Sequence, residues 1–97
     1  LDPWQPALLK VISQVCSDAK VIGVKVGVCG EAGSDPLLAV VLAGLGVQSV
    51  SMASTAVAKV TEYLSSVTKA DALKVAQSAL LGGNPAETKQ LARSALV

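Results

Sequence analysis

Between Val24 and Met52 the sequence alternates two short β-branched runs with one apolar, helix-forming run, and that order restricts the fold more than any other feature. Val24-Lys-Val-Gly-Val-Cys29 is too short for a helix and rich in valine, so it predicts a strand. Gly30-Glu-Ala-Gly-Ser-Asp35 is a polar loop in which Ser34 or Asp35 can cap the next helix, with Pro36 at its first position. Leu37, Leu38, Val41, Leu42 and Leu45 repeat at helical spacing, and Gly46 is the expected stop. Val47-Gln-Ser-Val-Ser-Met52 predicts the second strand. Strand, helix, strand in this order is a βαβ unit, whose strands lie parallel across a right-handed crossover. Two parallel strands alone leave both outer edges unpaired, whereas parallel sheets sit inside covered sheets or barrels. The expected fold class is therefore α/β, with further strands lying beyond this chain.

The flanks read as helices. Asp2-Pro-Trp-Gln-Pro6 is a lead-in loop with Pro6 in the first helical turn. Leu8, Ile12, Val15, Cys16 and Ala19 then share one helical face, and Gly23 is the expected stop. After Met52, Ser54 can cap a helix whose apolar face is Val57, Val60, Leu64 and Val67. Thr68-Lys-Ala-Asp71 is a capping-box pattern that opens another helix, running through Leu73, Ala76 and Leu80 to a stop at Gly82-Gly83. Asn84-Pro-Ala-Glu87 repeats the signal for a last helix reaching Leu96.

At 97 residues the chain holds one domain, 1–97, and its start at Leu1 without Met leads us to expect a piece of something longer. A chain this short buries a modest share of its surface, so its core must be efficient or shared. Trp4 and Tyr63 are the only aromatics, which leaves no platform for stacking bases, and a net charge of +1 gives no basic footprint for nucleic acid. The absence of His removes imidazole metal sites, Ser–His and Cys–His nucleophile pairs, and any phosphohistidine on this chain. The first residues lack the basic start and apolar core of a secretory signal. The longest apolar run, Leu37 to Val47, is about half of what a bilayer needs. Cys16 and Cys29 form no CxxC pair and are expected to be reduced thiols of a cytoplasmic protein.

Chemistry concentrates where the first strand ends. Cys29 closes a predicted parallel strand, and in α/β barrels and open sheets the carboxyl ends of strands gather ligands and catalytic groups. Gly27, Gly30 and Gly33 leave room for close backbone approach, and the N-terminus of the following helix favours an anion. Plainer readings stand beside these: a buried thiol is common, and such glycines can serve tight turns alone. The glycines do not match GxGxxG, and Ser51 rather than an acid stands about 20 residues on, which argues against a dinucleotide site. Glu31 and Asp35 have no other candidate ligand near them in sequence, so no metal is assigned to this chain. Cys16 reads as core, Lys20 and Lys25 as solvent-facing, and Ser49 and Ser51 as residues within reach of a ligand beside the Ser54 cap.

Val26-Gly-Val-Cys-Gly-Glu31, Asp35-Pro36, Gly44-Leu-Gly46 and Ser49-Val-Ser-Met52 together resemble the C-terminal signature of PEP-utilising enzymes. Within that group the chain is most similar to Enzyme I of the bacterial sugar phosphotransferase system, the phosphoenolpyruvate–protein phosphotransferases. Asp2-Pro-Trp-Gln-Pro6 and Leu8-Leu-Lys-Val-Ile12 resemble the segment just before the signature, and the later helices follow in order. The resemblance implies a PEP-binding (β/α)8 TIM barrel, of which this chain would supply the C-terminal part, its strands being the seventh and eighth. It also implies that Cys29 is the proton donor, with Gly30 and Glu31 in the loop beside PEP. In that chemistry PEP phosphorylates an enzyme histidine, which passes the group to the carrier protein HPr, and Cys29 protonates the enolate left behind to give pyruvate. A thiol of pKa near 8.5 is roughly 97% protonated at neutral pH and needs no activating base for this role.

The same resemblance implies Mg²⁺ held by carboxylates on earlier strands, a phosphohistidine in a separate N-terminal domain, and a homodimer formed through the barrel. Arg93, the only arginine, matches none of the arginines that clamp the PEP phosphate in the family. The chain alone is therefore expected to be catalytically silent. Ala32-Gly33-Ser34 after Cys-Gly-Glu departs from the larger apolar residue of many relatives. Pyruvate phosphate dikinase and PEP synthase are the related alternatives, and a non-catalytic helical adaptor is the alternative of a different kind.

Overall fold

The computed structural model describes residues 3–28, 35–51 and 54–96. Its elements follow as α1 (Pro6–Ile22), β1 (Gly27–Val28), α2 (Pro36–Leu45), β2 (Ser49–Val50), α3 (Ser54–Ser65), α4 (Lys69–Ala79) and α5 (Pro85–Leu96). The chain is an α/β unit dominated by helix. β1 and β2 pair in parallel across the α2 crossover, Gly27 opposite Ser49 and Val28 opposite Val50. Both strands are shorter than the runs that encode them. Among the described residues the pair has no bonded neighbour on either side, which leaves little to extend it. Among the described residues the ladder is lengthened by the Gln48 N–H to the Val26 carbonyl at 2.9 Å and the Ser51 N–H to the Val28 carbonyl at 2.8 Å.

Helix boundaries have local causes. Pro6 occupies the first turn of α1, where its missing N–H has no helical partner. Gly23 closes that helix at φ 75°, a left-handed conformation that glycine adopts without steric penalty, and Val24 N–H returns to the Ala19 carbonyl at 2.9 Å. Gly46 does the same for α2, with Val47 N–H returning to the Leu42 carbonyl at 3.0 Å. At α4 the capping box is complete: Thr68 Oγ1 accepts from Asp71 N–H at 3.1 Å, and Asp71 Oδ2 accepts from Thr68 N–H at 3.4 Å. At α5 Asn84 Oδ1 accepts from Glu87 N–H at 2.8 Å, while Glu87 Oε1 reaches back to Gly83 N–H at 2.9 Å. Thr68→Ala is expected to cost about 1 kcal/mol, read as a lower urea midpoint at unchanged slope.

Two boundaries differ from expectation. α4 closes at Leu80 in a right-handed conformation, before Gly82-Gly83. Gly82 answers to space instead: a Cβ there would lie 2.7 Å from Thr88 Cα and 2.8 Å from Thr88 N. α3 stops at Ser65 rather than Val67, where the Ser66 and Val67 N–H groups fold back to the Tyr63 and Leu64 carbonyls. Ser54 is the first residue of α3, and its side chain lies outside the described residues together with the cap expected of it.

α2 is buried along its whole first half, from Leu37 to Leu42, as suits a helix that is apolar on every side. α4 is its most extensive neighbour, and α1, α3 and α5 also touch it. The approach is tightest at Gly44. A Cβ there would run into the Ala72 carbonyl oxygen and lie 2.6 Å from the Ala72 carbonyl carbon and 2.7 Å from Ala76 Cβ. Small side chains must line such a contact, so α4 turns Ala72, Val75, Ala76 and Ala79 inward and leaves Leu73 51% exposed. Of the apolar residues expected along this helix, Ala76 is buried and Leu80 packs against the core, while Leu73 faces outward. α1 similarly buries Leu9, Cys16 and Ala19 but leaves Val15 exposed, and α3 buries Val60 while exposing Val57. Cys16 is the core thiol expected of it, and burial pushes its pKa up, away from thiolate chemistry.

Candidate functional site at the carboxyl end of the strands

The short connections decide which residues share an end of the sheet. β1 runs toward residue 29 and α2 returns antiparallel to it, so the N-terminus of α2 lies at the carboxyl end of β1. α1 enters β1 from the other end, which places Trp4, just ahead of α1, on the same side as Asp35. A hydrogen bond joins the two: the Trp4 indole N–H donates to Asp35 Oδ2 at 3.2 Å. The other carboxylate oxygen, Oδ1, accepts the N–H groups of Leu37 at 3.1 Å and Leu38 at 3.3 Å. Asp35 is thus the cap expected of it, with both oxygens engaged.

These contacts fix both ends of the connection between β1 and α2. Val28 is held by its pairing with Val50, and its carbonyl accepts from Ser51 N–H. Asp35 is held by the buried Trp4 and by the helix that it caps. Sequence reading missed the Trp4–Asp35 link because the partners stand 31 positions apart, and no local pattern spans that distance. The only available sign was an indole beside two prolines, a polar-tipped ring that needs a partner when buried.

Of the residues singled out in the sequence, Cys29, Gly30 and Glu31 lie outside the described residues, as do Gly33 and Ser34. A Cβ at Gly27 would meet the Ser49 Oγ at 2.5 Å, a side-chain end that can rotate away, and the Ser49 carbonyl oxygen at an ordinary 3.7 Å. Ser49, opposite Gly27, opens β2, and Ser51 follows its carboxyl end; both are exposed. Lys20 and Lys25 face solvent as expected, and Arg93 is exposed on α5. Among the described residues no three His, Cys, Asp or Glu side chains gather to hold a metal ion. Mg²⁺ therefore has no fitting donor set there, and no chemical step is derived through it. No described helix is long and apolar enough to cross a membrane.

Comparison with known proteins identifies the family. Residues 1–69 match the family described as PEP-utilising enzyme, PEP-binding domain. The chain is 42% identical over 95 residues, 98% of its length, to the phosphoenolpyruvate-protein phosphotransferase of Streptomyces coelicolor. It is 36% identical over 90% of its length to the protein of that name from Borreliella burgdorferi. It is 32% identical over 81% of its length to an Escherichia coli protein named phosphoenolpyruvate-dependent phosphotransferase system. The chain spans only 17%, 15% and 11% of these relatives' own lengths. A match over most of the chain, together with relatives of this similarity, means that it belongs to the PEP-utilising enzymes, within their PEP-binding domain.

Proposed function

We propose that residues 1–97 are the C-terminal part of the PEP-binding TIM barrel of an Enzyme I, a cytoplasmic phosphoenolpyruvate–protein phosphotransferase of the sugar phosphotransferase system. The observation that carries this reading is 42% identity across 98% of the chain to a protein of that name. The sequence supports it, since Cys29 directly follows Val28, the last residue of a parallel strand, and family catalytic groups gather past such strand ends. The bare outer edges of β1 and β2 and the exposed Val11, Val15 and Ile22 of α1 suit the strands and helix that a barrel would place beside them.

In this reading the P–O bond to the enol oxygen of PEP breaks as the phosphoryl group passes to a histidine of a separate domain, and then to HPr. The bond's electrons stay on the enol oxygen as an enolate. The Cys29 thiol gives its proton to the terminal carbon of that enolate, forming pyruvate, and the thiolate recovers a proton from water. Gly30, which has no side chain, lets the substrate approach the backbone, and Glu31 borders it. Mg²⁺, when held by carboxylates that the family resemblance puts outside this chain, would neutralise charge at the phosphate. The domain is expected to form a homodimer through the barrel.

The test is pyruvate release from PEP by the full-length protein that carries this sequence, with Mg²⁺ and purified HPr and without nucleotide. Release that depends on HPr is the expected result. A requirement for nucleotide would transfer the chain to the pyruvate phosphate dikinase or PEP synthase branch. No PEP turnover under any of these conditions would overturn the enzymatic reading.

A further inference from the structure

The opposite, amino end of the sheet carries a concave surface. A groove of about 940 Å³ lies between the last turns of α1, the C-terminal turn of α2 and the body of α4. Lys20, Lys25 and Lys69 line it, and among the described residues no Asp or Glu does. These are three of the chain's 8 basic residues, and none makes an ion pair among the described residues. α1 and α2 bring their C-termini here, each equivalent to a charge of about −0.5, and α4 brings its N-terminus at about +0.5. The three ammonium groups outweigh that backbone field and leave about two and a half positive charges uncompensated. Gln48, Gln77 and Ser17 add neutral hydrogen-bonding groups to the walls.

Such a surface favours a compact anion over the other classes of ligand. Its volume falls in the usual range for small-molecule sites, about 300–1,000 Å³. No aromatic ring lines it, so nucleobases gain no stacking. Lysine ammonium groups act as point charges that suit phosphate from several directions, without the fixed fork of arginine. We propose that this groove binds a small, multiply charged phosphate anion. Because it is lined by residues 23–26 and 46–48, which precede β1 and β2, it lies at the amino ends of the strands, away from Val28 and Asp35, and it does not depend on the PEP reading.

Lysine acetylation read by peptide mass spectrometry tests the site in the full-length protein, with millimolar inorganic pyrophosphate as the probe. Labelling of Lys20, Lys25 and Lys69 is expected to slow by roughly threefold or more, the factor reached at twice the dissociation constant. The exposed Lys10, Lys59, Lys74 and Lys89 serve as internal controls and should label at an unchanged rate. Lys25→Gln should abolish protection at Lys20 and Lys69 while leaving the thermal midpoint at its wild-type value. Protection at none of the three lysines, or equal protection at all seven, would overturn the proposal. So would lysines that are already unreactive before pyrophosphate is added, because another part of the protein would then occupy the groove.

Discussion

Cys29→Ala in the full-length enzyme is expected to lower HPr-dependent pyruvate release by about 10²- to 10⁴-fold, the usual contribution of a positioned general acid. That range corresponds to roughly 3–5 kcal/mol of barrier. The size follows from where the proton must go. An enolate takes up protons readily on oxygen but slowly on carbon, and a thiol held against one face of the carbon replaces a random encounter with water by a positioned donor. KM for PEP should change little, because the thiol acts after the P–O bond has broken and adds little to ground-state binding. Cys29→Ser should stay nearly as slow as alanine, since an alcohol of similar size is a far weaker acid than a thiol. A coupled lactate dehydrogenase assay over a range of PEP concentrations separates these parameters. Full turnover without the thiol would remove Cys29 from the chemistry.

Gly44→Val should produce the largest loss of stability, at least about 3 kcal/mol, the upper end of ordinary overpacking. Even the first added carbon would run into the Ala72 carbonyl oxygen, and Ala76 Cβ stands 2.7 Å away. Neither neighbour is the end of a flexible side chain, so relief requires α2 and α4 to separate. That separation would uncover the fully buried Leu38, Leu42 and Val75, each contributing about 1.5–3 kcal/mol through burial. Amide exchange across residues 37–42 and 72–79 is expected to accelerate by roughly 10²-fold or more. Gly83→Ala is the matched control, because its Cβ would meet only Glu87 Oε1 at 3.6 Å. If both substitutions left exchange alike, the close α2–α4 contact would not exist in solution.

How far the sequence can be read depends on how local each cause is. Asp35 and Thr68 are legible as caps because the side-chain oxygen and the N–H groups it accepts lie within three residues. The βαβ order is legible because Gly23, Asp35-Pro36 and Gly46 punctuate it. The buried face of α4 is not, because the distance between α2 and α4 chose alanines over Leu73, and that distance is a tertiary fact. The strands show the same limit, since their extent depends on neighbours that two short runs cannot supply. At the candidate site, the strand pattern alone puts Cys29 at a carboxyl strand end. Its role as proton donor comes from the family resemblance, because no periodicity separates a reactive thiol from a buried one.

The bond between Trp4 and Asp35 also has an optical consequence. Trp4 is the chain's one indole, 4% exposed, and its N–H rests on the carboxylate where the connection from Cys29 rejoins the helix. Indole emission responds to the charge and solvation around the ring, so this junction contains its own label. Reorganisation of the connection that pulls Asp35 away from the ring changes both at once. Fluorescence at this position therefore reports on the site end of the domain from within, without an attached dye and without waiting for turnover.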